Sequence, residues 1–210
     1  MTTITLDRPR LVRRARILNA FTIGWNTLEG IVAVGAGLAA GSVSLVSFGL
    51  DSGIEVSAAL LLAWRLTYER RDECQQPVDR RAQRGIAISF LALAGYVLVT
   101  SLVDLRTGHR PSESIPGIVI AALSLVVMPV VAAQKRSLAD GLGSRAASAE
   151  ANQTDLCAML SAALLVGLGA NVLFGWWWAD SAAALIIGTT AGWMAIKTWQ
   201  ADSLADTCCP

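Results

Sequence analysis

Apolar residues gather in six blocks of roughly 20, separated by shorter polar stretches. The pattern predicts helices over 17–39, 42–64, 85–105, 116–134, 147–174 and 177–199. At about 1.5 Å per residue, a block of this length crosses a ~30 Å hydrocarbon core. The alternating ten-residue segments of a membrane β-barrel are absent. The joint Ala39-Ala40-Gly41 leaves room only for a tight turn, so the first two spans form an antiparallel hairpin. The joint around Gly175 is equally short and pairs spans five and six. The expected fold class is an all-α membrane protein, a six-transmembrane-helix bundle.

Composition agrees with this reading. Of 210 residues, 54% are hydrophobic, more than a soluble domain with a polar surface carries. Net charge is +1, but its distribution is uneven. Arg8, Arg10, Arg13, Arg14 and Arg16 precede span one, and Arg65, Arg70, Arg71, Arg80, Arg81 and Arg84 lie between spans two and three. Lys135, Arg136 and Arg145 lie between four and five, and Lys197 ends span six. Only Arg106 and Arg110 fall on the other side. Basic residues concentrate on the cytoplasmic side of inner-membrane proteins, so both termini are expected in the cytoplasm. Trp176, Trp177 and Trp178 then mark the outer interface, and Trp64 and Trp199 the inner one.

The chain therefore reads as a basic cytoplasmic N-terminal segment (1–16), a transmembrane domain (17–199) and a short cytoplasmic tail (200–210). The tail is too short to build a further folded domain. No cleavable signal peptide is expected, because the first apolar block is too long for one. Cys74, Cys157, Cys208 and Cys209 form no CxxC pair and imply no disulfide framework. Nothing in the sequence suggests nucleic-acid binding.

Charged residues inside apolar spans carry the chemistry, since each costs several kcal/mol unless paired, protonated or liganded. They are Glu29 in span one, Asp51 and Glu55 in span two, and Glu150 and Asp155 in span five. No Lys or Arg is expected at their depth, so a divalent cation or protons would balance them. Counting along the helices places Glu55 and Asp155 level, with Asp51 one turn further out and Glu150 nearer the cytoplasm. Asp51 and Glu55 are spaced i, i+4 and offer two carboxylates from one side of one helix. Plainer readings stand beside these. Glu29 can be a protonated acid hydrogen-bonded near Asn26, and Glu150 can extend to the interface. Cys157 and Gln153 share a helical face with Glu150 and are either ligands or ordinary packing residues. Cys208 and Cys209 could bind metal or carry a lipid, but fit a simple tail. The sole histidine, His109, sits in an outer loop and reads as solvated.

The run Ser42-Val-Ser-Leu-Val-Ser-Phe-Gly-Leu-Asp51-Ser-Gly-Ile-Glu55-Val resembles the second span of cation diffusion facilitator transporters, which carry D-S-x-x-D there. Ala151-Asn-Gln-Thr-Asp155 is similar to that family's H/D-x-x-x-D on span five, and Gly175 to Asp180 resembles the turn opening span six. Asn26 to Gly30, as N-x-x-E-G, resembles a small bacterial branch of the family. The chain departs from the pattern at Glu55, at Ala151, and in having no room after span six for the family's cytoplasmic domain. The resemblance implies a multi-pass protein of the bacterial inner membrane, a homodimer, exporting a divalent metal by proton antiport. The metal ligands would be Asp51, Glu55 and Asp155, with Glu150 or Gln153 completing the set. Zn2+ is the expected substrate, with Mn2+, Fe2+, Co2+ and Cd2+ open; no tightly bound cofactor is expected. Two other readings are a membrane metal-binding or regulatory protein without turnover, and a proton-coupled carrier of an organic cation. An enzyme is not expected, because no Ser/His/Asp set or membrane-embedded histidine pair exists.

Overall fold

The computed structural model describes residues 8–68, 76–142 and 145–200. Six helices account for nearly all of them: α1 (Arg8–Ala40), α2 (Val43–Tyr68), α3 (Gln76–Thr107), α4 (Ile115–Leu142), α5 (Arg145–Phe174) and α6 (Trp178–Gln200). All six are long and apolar enough to cross a membrane. The described residues contain no strand. Cys74, Arg70, Arg71 and the tail beyond Gln200, with Cys208 and Cys209, lie outside the described residues.

The six apolar blocks correspond one to one with the helices, but several helices overrun them. α1 starts nine residues before the expected 17, and α4 continues eight residues past 134. The reason is local. The segment Gln134 to Asp140 contains no Gly or Pro, so nothing interrupts the hydrogen-bond ladder where the polar residues begin. Lys135 and Arg136 therefore sit on a helix, not in a connection.

Two glycines set the hairpins. Gly41 and Gly175 both adopt φ of 66°, the left-handed region that costs glycine nothing. Gly41 reverses the chain between α1 and α2, and Ser42 then caps α2 by accepting from the Leu45 N–H at 3.2 Å.

α1, α2, α4 and α5 form a closed four-helix ring, each touching two neighbours, with α1 diagonal to α5. α3 and α6 pair with each other and lean on α2, and α6 also packs on α5. α2 is the central helix: 67% of its span is buried, against 22% for α3. One apolar core, including Leu45, Phe48, Met128 and Leu164, fills the ring. A second, around Phe90, Leu93 and Val97, joins α3 to α6 and α2. α1 and α2 approach closely at Gly37 and Gly49, where a side-chain carbon on Gly49 would reach the Val34 backbone. Ile31, Leu38, Leu91, Val126 and Val166 face outward, giving the bundle the apolar exterior that lipid requires.

Candidate carboxylate site

Glu29 is completely buried on α1 and points into the ring. Each helix of the ring contributes a partner. Its own helix supplies the Trp25 indole N–H, which donates to Oε2 at 3.0 Å. The Ser52 hydroxyl of α2 donates to Oε1 at 2.6 Å, and the Ser124 hydroxyl of α4 donates to Oε2. From α5, across the diagonal, the Cys157 thiol lies 3.7 Å from Oε1. Trp25 also reaches Ser124 at 3.2 Å. All but Trp25 come from distant parts of the chain, and together they fix the carboxylate's orientation rather than leave it to solvent.

Asp51 and Glu55 of α2 are also buried, at 8% and 1% exposure. Glu29, Asp51 and Glu55 are close enough for their charges to repel one another. Glu55 Oε1 accepts from the Thr154 hydroxyl of α5 at 2.8 Å, while Oε2 has no partner. Thr154 in turn accepts from the Lys135 ammonium at 2.9 Å. None of the three carboxylates is ion-paired with a described residue. Hydroxyl donors thus hold Glu29 and Glu55 in place, and one buried lysine stands a single residue away from Glu55.

Span five is arranged differently from the expectation. Asp155 does not meet Glu55. It forms a salt bridge with Arg136 of α4, and its side chain is 39% exposed. Thr154, one residue earlier, takes the inward position; a step of about 100° around the helix separates the two. The expectation that no Lys or Arg shares the acids' depth is therefore corrected, because α4 carries Lys135 and Arg136 up the bundle. Glu150 falls on α5, and its side chain lies outside the described residues. Among the described residues, no three His, Cys, Asp or Glu side chains converge closely enough to hold one metal ion.

Ser52, Ser124, Trp25 and Thr154 are partners of the buried carboxylates that the sequence does not reveal, as is Lys135 behind Thr154. Ser124 leaves a trace: it is the lone polar residue in the stretch Ile115 to Ala133 of α4. Trp25 stands one turn before Glu29, the spacing at which an indole can reach a carboxylate on its own helix.

At the opposite end of the bundle, Asp180 of α6 is buried and ties α6 to the start of α2. Its Oδ1 accepts from the Ser42 and Ser44 hydroxyls at 2.6 and 2.5 Å. A separate cavity of about 270 Å³ opens nearby, lined by Tyr96, Thr100, Asp104 and His109 among others. His109 is exposed there, as expected of a loop residue.

No family model and no curated protein matches the chain.

Proposed function

We propose that the chain is a secondary transporter of divalent metal cations that exchanges them for protons, related to the cation diffusion facilitators of the bacterial inner membrane. One observation supports this above others: Glu29, Asp51 and Glu55 lie buried within mutual repulsion distance in a bundle with an apolar exterior, with no ion pair among the described residues. Three carboxylates at that depth are tolerable only if protons or a cation neutralise them. Whatever displaces the protons must carry positive charge, so cation binding and proton release are linked at the same oxygens.

Asp51, Glu55 and Glu29 are the cation ligands in this reading, and Cys157 offers a softer fourth donor beside Glu29. Binding an ion requires Glu29 and Glu55 to leave their hydroxyl partners, because these side chains do not converge on one point as they stand. The mostly oxygen donor set favours Mn2+, Fe2+ or Co2+ alongside Zn2+. Asp155 and Arg136 act outside the ligand set, toward the mouth of the ring.

The test is flux in proteoliposomes, with a panel of divalent metals and an imposed pH gradient. Asp51→Asn is expected to abolish uptake while inserting and folding normally. Asp155→Asn removes only an exposed ion pair, worth up to about 1 kcal/mol, and is expected to retain flux. Normal flux by Asp51→Asn at matched incorporation would remove the proposed site. Loss of flux only in Asp155→Asn would move it to α5.

The bundle is oriented with both termini in the cytoplasm, from the asymmetry of its basic residues. Two aromatic levels support two interfaces. Trp176 and Trp178 stack at 5.4 Å at one end, and Lys197 lies 4.0 Å over Trp193 at the other. A reporter fused after residue 210 is expected to be active only in its cytoplasmic form; activity confined to the periplasmic form reverses the orientation.

A further inference from the structure

Asn19, Thr22, Asn26 and Glu29 form a single stripe on α1, at spacings i, i+3, i+7 and i+10. All four are buried, at 3%, 1%, 0% and 0% exposure. A polar stripe this long facing inward is unusual in a span that borders lipid, where polar side chains mark pathways or paired contacts. The pairing is incomplete. Asn26 has no hydrogen-bond partner at either its oxygen or its nitrogen. Asn19 donates to the Ala59 carbonyl at 2.9 Å, but its own oxygen has no partner.

Register places these atoms beside the carboxylates. Asn19 lies level with Ala59 of α2, and Gly30 lies against Gly49 and Ser52. Asn26 therefore faces α2 near Glu55. On α5, Gln153 is one turn before Cys157, just as Asn26 is one turn before Glu29 on α1. The two helices run in the same direction, and Cys157 meets Glu29 across the ring. One turn toward the termini, Asn26 and Gln153 occupy the corresponding level. Thr154 fixes that level to Glu55. The unpartnered atoms there are Asn26 Oδ1 and Nδ2, Gln153 Nε2 and Glu55 Oε2.

This set contains donors and acceptors together. A bare cation would satisfy the oxygens and repel the N–H groups, while an anion would do the reverse. Water both donates and accepts, and bridges buried polar groups where two to four of them converge. We infer that the Asn19–Thr22–Asn26 face of α1, with Gln153, lines a hydrated column that joins the buried carboxylates to the water at the termini end of the bundle. The ligand class is water. The column deepens the proposed exchange reaction and rests on it for its purpose, though not for its existence. Lys135 and Thr154 border the column on the α4 and α5 side, so a water chain ending at Glu55 Oε2 meets an oxygen that the lysine relay does not occupy.

Thiol labelling tests this in the full-length chain, with Cys74, Cys157, Cys208 and Cys209 replaced by serine. Asn26→Cys is compared with Leu28→Cys, which has the same depth but faces outward at 53% exposure. Only a hydrated thiol ionises and reacts, so Asn26→Cys is expected to react about tenfold faster or more with a small, charged, water-soluble thiosulfonate. In sealed vesicles the reaction is expected only from the termini side. Thr22→Cys, a near-isosteric change on the same stripe, gives the answer if Asn26→Cys does not fold. Thiols at 22 and 26 as inert as that at 28 overturn the column, even if metal flux is normal. Rapid labelling at 22 or 26, together with no flux for any metal by the chain that keeps its four cysteines, keeps the column and overturns the transport reading.

Discussion

Truncating Glu29 to alanine is expected to lower stability by about 3 kcal/mol, chiefly through the cavity left in a packed ring. The donors around it do not suffer equally. Ser52 also reaches the Phe48 carbonyl at 3.1 Å, and Trp25 also reaches Ser124, so both keep a partner. Ser124 loses its acceptor outright. Glu29→Gln should cost less, about 1–2 kcal/mol, because its carbonyl oxygen can still accept from Ser52. Its amide nitrogen would confront the Trp25 N–H, and that conflict is the main penalty. Both variants are expected to lose cation exchange, since each removes one of three charges. Thermal unfolding in one detergent ranks the two, and flux in vesicles reads the charge. Full exchange by a stable Glu29→Gln protein would show that Glu29 serves packing alone.

The second large effect is expected at Asp180. Asp180→Ala strips the acceptor from two buried hydroxyls and from the Ser44 N–H, which approaches Oδ2 at 3.4 Å. Hydrogen bonds to a charged group contribute about 1.5–3 kcal/mol each, and some of that loss is recovered by the 3.2 Å contact between Ser42 and Ser44. A net destabilisation of about 3 kcal/mol follows. Ser42→Ala and Ser44→Ala act on the same carboxylate, so a double-mutant cycle with Asp180→Ala should be clearly non-additive. Additive losses would mean that the three side chains are not one unit. Because this network is at the far end from Asn26, its removal should leave thiol labelling at position 26 unchanged.

The number of helices and the two hairpins are legible in the sequence because both depend on local signals. Apolar blocks set the spans, and Gly41 and Gly175 sit where the chain must reverse. The acids Asp51 and Glu55 are legible for the same reason, as charges where charge is costly. What the sequence does not disclose is who faces whom. Depth counting sets Asp155 level with Glu55, which says nothing about rotation around the helix axis. A single step along α5 places Thr154 inside and Asp155 beside Arg136. Hydropathy makes the basic pair 135–136 look like a connection, whereas helical hydrogen bonding continues to Leu142. In the sequence, Glu29 fits a plain packing role as well as a functional one. Its significance lies in contacts with Ser52, Ser124 and Cys157, which span 23, 95 and 128 positions.

The tight turn at Gly41 also bears on how the protein is made. The first two spans are among the least apolar, with mean hydropathy of 1.2 and 1.3, against 2.5 for α4. A nascent helix bearing Asp51 and Glu55 is a poor candidate for entering lipid alone. Joined by a reversal at Gly41 and Ser42, the two can leave the translocation channel together. The Ser52 hydroxyl then shields Glu29 within the pair, before α4 and α5 have been synthesised. Insertion as a hairpin is therefore the expected order of events, with Glu29 already bonded to the neighbouring helix when it enters the bilayer.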